Sequence, residues 1–449
     1  MGKLFGTDGI RGVANEGLDI HLALKIGQAV GIVMREEAGR APVVAIGKDT
    51  RLSSDMLDSA IVAGLCASGA DVMVLGVVPT PAVAFITKES KADAGIMISA
   101  SHNPFYDNGI KIFNGKGFKL SDELEARVED LILSDTPLPL LTHEKVGKVL
   151  RKNKDWVEKY IDHLSEAAEC EIAGLKVFID CSNGAASRTA SALFSRFKLD
   201  LDIIKDHPNG LNINENCGST NVDFLGRAVA SGGYDIGIAF DGDADRCIIV
   251  DERGTVVDGD KIMGVIGLSM LQKGELAKNT IVATVMSNLG FHDFTKRNNI
   301  SLICTAVGDR NVLEKMLEGG YALGGEQSGH VIFLKEATTG DGQLAAIKFL
   351  SELCATGKRV SELTREIPYY PQVLINLSIR GGNEAKAAIM ASEALKAAIK
   401  ERETALGDRG RILVRPSGTE PLIRVMVEAD EESTAQQTAE ELLEVIKSL

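Results

Sequence analysis

The apolar positions of this chain fall into short runs, and three of the runs break abruptly into polar segments rich in glycine or serine. The first, Ala94-Gly95-Ile96-Met97-Ile98, leads into Ser99-Ala100-Ser101-His102-Asn103-Pro104. The second, ending at Phe240, opens into Asp241-Gly242-Asp243-Ala244-Asp245-Arg246. The third, Tyr321-Ala322-Leu323, opens into Gly324-Gly325-Glu326-Gln327-Ser328-Gly329-His330. A hydrophobic run that ends in small polar residues and Asn-Pro predicts a buried strand closed by a tight turn, with a serine hydroxyl at its tip. Residues 43–46 predict another strand. Leu57, Ala60, Ile61, Gly64 and Leu65 after it keep helical spacing, with Ser53 or Ser54 as cap and Gly69 as stop. Further strand-like runs cover 72–78, 176–179 and 280–285. This βαβ alternation predicts mixed or parallel sheets with helices on their faces and ligands at the strand C-termini.

Three punctuation points divide the chain. Pro137 and Pro139 lie in a polar stretch before residue 150, the turn Glu252-Arg253-Gly254 closes a second unit, and Pro368 and Pro371 mark a third boundary. The expected domains are 1–153, 154–253, 254–367 and 368–449. The last changes character: a strand over 372–379, one Ala-rich helix over 384–398, strands over 411–414 and 422–427, and a terminal amphipathic helix. The fold class expected is α/β, three related units with mixed sheets plus a smaller C-terminal α+β unit.

Composition narrows the functions. With 449 residues, 45% hydrophobic and 25% charged, the chain can build several cores. A net charge of −14 with no basic face speaks against nucleic-acid binding. It does not exclude phosphate ligands, which need only a few placed Arg, Lys and backbone N–H groups. The seven cysteines form no C-x-x-C pair and read as free thiols of a reducing compartment. The start, Met1 to Asp8, has no apolar h-region, Gly6 stands where a myristoylation signal needs Ser or Thr, and no apolar run is long enough for a membrane span. A soluble, cytoplasmic protein with no membrane partner is expected.

The chemistry concentrates in four places. Asp241, Asp243 and Asp245 bunch three hard oxygen ligands after an apolar strand, an arrangement that repels itself without a cation. An EF-hand is ruled out, because Arg246 sits where that loop needs glycine and both flanks read as strands. Few protein carboxylates leave sites open for phosphate oxygen or water, which suits Mg²⁺ better than Ca²⁺, and Arg246 can counter the charge. Arg415-Pro416-Ser417-Gly418-Thr419-Glu420-Pro421, with Arg424, offers guanidinium forks, hydroxyls and a close backbone approach to phosphate. Taken alone it is a commonplace turn. Glu326, Ser328 and His330 suit hydrogen bonding to sugar hydroxyls. Gly6 to Gly12 holds Arg11 in a glycine-rich turn, and Asn108-Gly109-Ile110-Lys111 returns a lysine towards the serine loop. Strand parity puts Ser99 and Ser101 on one face and His102 on the other, and does not choose between the serines. Together these point to Mg²⁺-assisted phosphoryl transfer on a polyhydroxy substrate.

The four motifs, in this order and over essentially the whole chain, resemble the α-D-phosphohexomutase family. The resemblance implies four domains around one cleft, with phosphorylation on Ser101. It implies one Mg²⁺ per subunit, held by Asp241, Asp243 and Asp245, with the Ser101 phosphate completing the site. Arg246, Arg11 and Lys111 would surround the transferring group with His102 beside it, Lys111 being a candidate base. Glu326 and Ser328, with His330 and Arg310, would bind the sugar. Arg415, Ser417, Gly418, Thr419 and Arg424 would hold the other phosphate. Gly6 to Gly12, Val307-Gly308-Asp309-Arg310 and Thr339-Gly340-Asp341-Gly342 resemble the branch acting on glucosamine phosphates, with Asn311 departing from the aromatic expected there. The activity implied interconverts glucosamine 6-phosphate and glucosamine 1-phosphate through a hexosamine 1,6-bisphosphate that also serves as activator. A homodimer is implied as well, and a fourth domain acting as lid. The rivals are a mutase of mannose or glucose phosphates, a Mg²⁺ phosphatase with an aspartate nucleophile, and a non-catalytic sugar-phosphate sensor.

Overall fold

A computed structural model describes residues 4–6, 8–150, 154–417 and 421–449. Residues Met1–Met286 and Ile300–Arg365 make one compact unit, and Ser287–Asn299 with Glu366–Leu449 make a second.

The first unit contains three sheets. The first comprises β1 (Ile10–Val13), β2 (Val43–Lys48), β3 (Asp71–Val77), β4 (Ala94–Ile98), β5 (Asp107–Asn114) and β6 (Val149–Leu150), in the order β1-β5-β4-β2-β3-β6. β2 runs parallel to β3 and β4, whereas β5 is antiparallel to β4 and β1 to β5. β4 is buried along its whole length, as its unbroken apolar run requires. On one face the helices Ile20–Ala38 and Ser54–Ala67 cross at glycines. A Cβ on Gly27 would lie 2.3 Å from the Ile61 carbonyl oxygen, and one on Gly64 2.2 Å from that of Leu24.

The second sheet comprises β7 (Ala173–Asp180), β8 (Lys198–Ile204), β9 (Ile236–Phe240), β10 (Cys247–Asp251) and β11 (Val256–Val257), in the order β11-β10-β9-β7-β8. The turn at Glu252-Arg253-Gly254 does not end this sheet. It is a hairpin, with Gly254 at φ +86°, and β11 pairs back onto β10 beyond it.

The third sheet comprises β12 (Thr280–Thr284), β13 (Ser301–Thr305), β14 (Leu323–Gly325) and β15 (Val331–Phe333), in the order β13-β12-β14-β15. The strand expected over 321–323 is displaced and takes in Gly324 and Gly325. A Cβ on Gly324 would lie 2.8 Å from the Val282 carbonyl oxygen, so close strand contact selects glycine where composition suggested a loop. Glu326 to His330 become the turn of the β14–β15 hairpin.

The second unit is built on the antiparallel sheet β16 (Gln372–Ser378), β17 (Gly410–Pro416) and β18 (Leu422–Ala429), with β18 central. The single helix expected over 384–398 is two, Gly382–Ala391 and Glu393–Leu406, broken at Ser392, which is extended (φ −60°, ψ 127°). Serine followed by an acidic first turn is a helix start, which the alanine-rich pattern masked. The helix Leu289–Arg297 belongs to this unit. The fully buried Glu428 carboxylate accepts the Leu289 N–H at 2.8 Å and the Arg411 Nε–H at 2.6 Å.

Cys66, Cys170, Cys181, Cys217, Cys247 and Cys354 are free thiols, and among the described residues no helix is long and apolar enough to cross a membrane.

Asp341 caps the helix Gly342–Thr356 through the Leu344 N–H (3.0 Å) and accepts the Tyr160 hydroxyl at 2.8 Å. Burial raises its carboxyl from 3.8 to about 6. Between those values the folded chain keeps a proton that the unfolded chain has released, so this group makes stability fall as pH rises through the window, by about 3 kcal/mol. Asp341→Asn keeps an acceptor for Leu344 and cannot ionise. Denaturant melts from roughly pH 4 to pH 7 are expected to show wild type losing stability relative to this variant as pH rises; a constant difference would refute the assignment.

Candidate active site

Parallel strands deliver their loops to one edge, and β2 and β4 end side by side, Lys48 opposite Ile98. The chain leaving β4 is not extended at Ser101, which takes the left-handed conformation (φ +51°). Strand parity therefore stops at Ser99, and the two serines separate. Ser99 Oγ donates to Asp49 Oδ2 at 2.6 Å and accepts the Ser101 N–H at 2.9 Å, a supporting position. Ser101, 2% exposed, donates its hydroxyl to Asp241 Oδ2 at 2.5 Å.

Asp241 opens the loop after β9. The carboxylates of Asp241, Asp243 and Asp245 are all buried and offer oxygens within 4.8 Å of one another. Burial, then Asp245 and Asp243, push the Asp241 carboxyl well above the usual range. Thr80, leading the helix Thr80–Glu89, donates its hydroxyl to Asp243 Oδ2 at 2.5 Å, and its N–H to the Asp243 carbonyl at 2.9 Å. Asp243 Oδ1 and Asp245 Oδ1 are buried without a hydrogen-bond partner. Oxygens so placed fit a hard divalent cation, the group that relieves both their desolvation and their mutual repulsion.

A closed circuit of six acidic and basic side chains passes through this loop, with Asp243 as a branch. Lys111 Nζ on β5 lies 2.9 Å from Asp243, 3.4 Å from Asp245 and 3.2 Å from Asp8. Lys119 joins Asp8 (2.7 Å) to Asp309 (2.7 Å), and His330 stands between Asp309 (3.8 Å) and Asp245 (3.6 Å), closing the circuit. Burial would lower the Lys111 pKa, but Asp243, Asp8 and Asp245 raise it well above the ordinary range. With those neighbours fully charged Lys111 is a cation. It becomes a candidate base only where Asp243 and Asp245 give their charge to a bound metal.

Burial, Arg246 and Arg11 press the His102 pKa down to about 4, leaving a neutral imidazole with Nδ1 unpartnered. At His330, the carboxylates of Asp245 and Asp309 outweigh burial and favour the charged ring. The Gly340 N–H nonetheless donates to Nε2 at 3.0 Å, and a nitrogen accepting that bond carries no proton. The geometry therefore puts the ring proton on Nδ1, facing Asp245.

Arg246 follows the triad and donates its backbone N–H to Asp241 Oδ1 at 3.1 Å. Arg11 is paired with Asp8. Glu326 is half-buried and holds the Gly308 N–H at 3.1 Å, while Ser328 is exposed at the hairpin tip. Arg310 is not brought to this site. Its guanidinium turns to Asp122 (2.7 Å), Glu125 (3.2 Å) and the Leu120 carbonyl (2.9 Å).

In the second unit Arg415 and Arg424 face each other across β17 and β18. Burial and then Arg424 lower the Arg415 pKa, and Arg415 Nε is buried without a partner. Directly opposed like charges are unfavourable on a sheet, and an anion between them removes the conflict. Ser417 is buried and accepts Lys386 Nζ on its carbonyl at 2.7 Å; Gly418 and Thr419 lie outside the described residues.

The sequence reading missed Asp8, Thr80, Lys119 and Asp309. Asp8 and Asp309 sit within glycine-bearing motifs already singled out, and Thr80 lies between two prolines after an apolar run. Lys119 has no local signal.

Comparison with known proteins covers the whole chain. It matches the phosphoglucomutase/phosphomannomutase alpha/beta/alpha domain I at 2–138, domain II at 158–254, domain III at 258–370 and the C-terminal domain at 374–445. It is 48% identical to the phosphoglucosamine mutase of Acetivibrio thermocellus over 448 residues (100% of this chain, 99% of that protein). It is also 48% identical to that of Rhodococcus erythropolis over 450 residues (100% of each). Among solved structures, a phosphoglucomutase/phosphomannomutase family protein from Burkholderia thailandensis superposes with a TM-score of 0.82 at 23% identity, over 99% of this chain and 97% of that one. The Aspergillus fumigatus N-acetylphosphoglucosamine mutase, in complex with GlcNAc-6P and magnesium, gives 0.69 at 19% identity, over 99% and 95%. These likenesses establish the fold.

Crowding in the aspartate loop has a measurable cost. Asp241→Asn keeps the acceptor for Ser101 and removes one of three buried charges. It is expected to raise the melting temperature of the chelator-treated protein at neutral pH by about 3 °C and to abolish the further rise given by a divalent cation. A cation-dependent rise equal to that of wild type would contradict this use of Asp241.

Proposed function

The chain belongs to the phosphoglucomutase/phosphomannomutase family, and on that premise we propose that it isomerises glucosamine 6-phosphate and glucosamine 1-phosphate by way of phosphorylated Ser101. The observation that carries the reading is the Ser101 hydroxyl at 2.5 Å from Asp241, within a buried cluster of three carboxylates. A serine in that place is where a phosphate and a metal would meet.

The substrate's O1 attacks phosphorus, the bond from phosphorus to Ser101 Oγ breaks, the O1 proton passes to a base and Oγ takes up a proton. The product is the 1,6-bisphosphate. After it turns over, Ser101 Oγ gives up its proton and attacks the phosphorus on O6, the O6–phosphorus bond breaks, O6 takes a proton, and glucosamine 1-phosphate leaves. Free bisphosphate can phosphorylate Ser101 by the same step and so act as activator. Asp241, Asp243 and Asp245, with an oxygen of the Ser101 phosphate, would hold one Mg²⁺. When bound, that ion supplies Lewis-acid stabilisation of the charge on the phosphoryl oxygens. Arg246 and Lys111 add fixed positive charge beside it. Neutral His102 offers a hydrogen bond without a competing charge. Glu326, Ser328 and His330 are assigned to the sugar, and Arg415, Ser417, Gly418, Thr419 and Arg424 to the phosphate not in transfer.

The aspartate-nucleophile phosphatase reading is weaker here. Asp241 accepts the serine hydroxyl, and Lys111 pairs with Oδ2 of Asp243 and of Asp245, so the hydroxyl and not an unhindered carboxylate heads the cluster.

Ser101→Ala is expected to lower isomerisation at least about 1,000-fold and to abolish the mass gain on incubation with glucose 1,6-bisphosphate, while leaving the melting temperature nearly unchanged. Wild-type activity in that variant would end the mechanism. In the native protein, kcat/KM is expected to be higher for glucosamine 6-phosphate than for glucose or mannose 6-phosphate. Steady phosphate release without isomerised product would favour the phosphatase instead, and sugar-phosphate binding without turnover a sensor.

A further inference from the structure

Ser101 holds a backbone conformation that residues with a Cβ rarely adopt (φ +51°), and such a conformation persists only where its surroundings over-determine it. The surroundings are two donors on the same two acceptors. Arg51 Nη2 donates to the carbonyls of Ser101 (2.8 Å) and Asn103 (2.9 Å). Asn214 Nδ2 donates to the same carbonyls, at 2.9 and 3.0 Å. Arg51 Nη1 extends the grip to the Asp107 carbonyl at 3.1 Å and also bonds that of Pro104.

Both donors are themselves fixed. The Arg51 side chain is fully buried and pinned by Asp49, whose Oδ2 takes its Nε–H at 2.8 Å and whose Oδ1 takes its backbone N–H at 3.0 Å. Asn214 comes from the loop after β8. Its Oδ1 accepts the Ser182 hydroxyl at 2.7 Å, which aims Nδ2 at the serine loop. Gly242, inside the aspartate loop, closes against the same point: a Cβ there would lie 2.5 Å from the Ser101 carbonyl oxygen and 2.9 Å from Asn214 Nδ2. One donor thus belongs to the first sheet's loops and the other to the second sheet's. Between them they hold the serine loop at the point where Gly242 of the aspartate loop packs on the Ser101 carbonyl.

We propose that Arg51 and Asn214 are positioning residues, a paired clamp on the Ser101 and Asn103 carbonyls that keeps Ser101 Oγ in register with the aspartate cluster during phosphoryl transfer. Neither is assigned contact with substrate. The inference rests on the phosphoserine reading above. A clamp of this kind acts on kcat rather than on sugar binding, since a misplacement of about 1 Å at the reacting atoms can cost about 100-fold in rate.

The test uses the full chain with Mg²⁺, glucosamine 6-phosphate and glucose 1,6-bisphosphate, reading kcat, KM, phosphate uptake by intact mass, and melting temperature. Asn214→Ala is expected to lower kcat about tenfold, the equivalent of about one net hydrogen bond, with KM within about twofold of wild type. Asn214→Asp keeps the Ser182 contact but turns an acceptor onto two carbonyls, and is expected to lose more than Asn214→Ala. A purely structural role predicts no such order once assays run well below every melting temperature. Arg51→Lys replaces a planar fork by a point donor and is expected to lose about 100-fold in kcat. Combined with Asn214→Ala, its loss should be smaller than the product of the two, because both act on the same carbonyls. If Arg51→Lys does not fold, the Asn214 pair decides alone. Wild-type kcat in Asn214→Ala, or a rise in KM alone, overturns the clamp while the phosphoserine reading stands. Failure of the wild-type protein to take up phosphate from the bisphosphate overturns both.

Discussion

Three carboxylates confined to one buried loop impose the condition that the rest of the first unit satisfies. At separations of no more than 4.8 Å, each pair of like charges repels by at least about 3 kcal/mol if the effective dielectric constant is about 20. Lys111 and the Thr80 hydroxyl answer part of this, and both act on Asp243 Oδ2. The opposite oxygen, Asp243 Oδ1, stays without a partner, as does Asp245 Oδ1. A loop that served only the fold would satisfy both edges of its carboxylates. This one leaves the edges a cation can use, and a serine hydroxyl stands at the third carboxylate.

The fold meets that condition by bringing loops of three sheets to one loop. The aspartate loop accepts the Thr80 N–H on Asp243, gives the Ala244 carbonyl to the Gly342 N–H, and is followed by Cys247, whose N–H bonds the Gly329 carbonyl. Each contact comes from a segment beside a strand terminus or a helix start, where backbone groups have no ladder partner. The charged circuit runs through the same segments, with Lys119 and Asp309 joining residues that the sequence keeps far apart. Removal of any one member exposes a buried charge, so these residues hold one another in place.

Much of this was legible along the chain because buried parallel strands need unbroken apolar runs, and those runs ended at the chemistry. Residues 94–98 and 236–240 behave so. What escaped has identifiable causes. β14 contains Gly324 and Gly325, which carry no hydrophobic signal, and close packing selected them. The helix Leu289–Arg297 is amphipathic, but an apolar stripe does not say which core it joins, and Glu428 decides that from far along the chain. Parity could not separate Ser99 from Ser101, because it assumes extended backbone and Ser101 leaves it at φ +51°. The acidic partners of the Arg310 guanidinium lie in a helix nearly two hundred residues away. Contacts at such separations have no local signature.

The two units pose opposite electrostatic problems. The first concentrates negative charge at Asp241, Asp243 and Asp245; the second sets Arg415 against Arg424 on neighbouring strands. Each arrangement costs folding free energy while it stands alone. Arg415 keeps a buried Nε without a partner. A divalent cation is the chemistry that would satisfy the first, and an anion the chemistry that would satisfy the second.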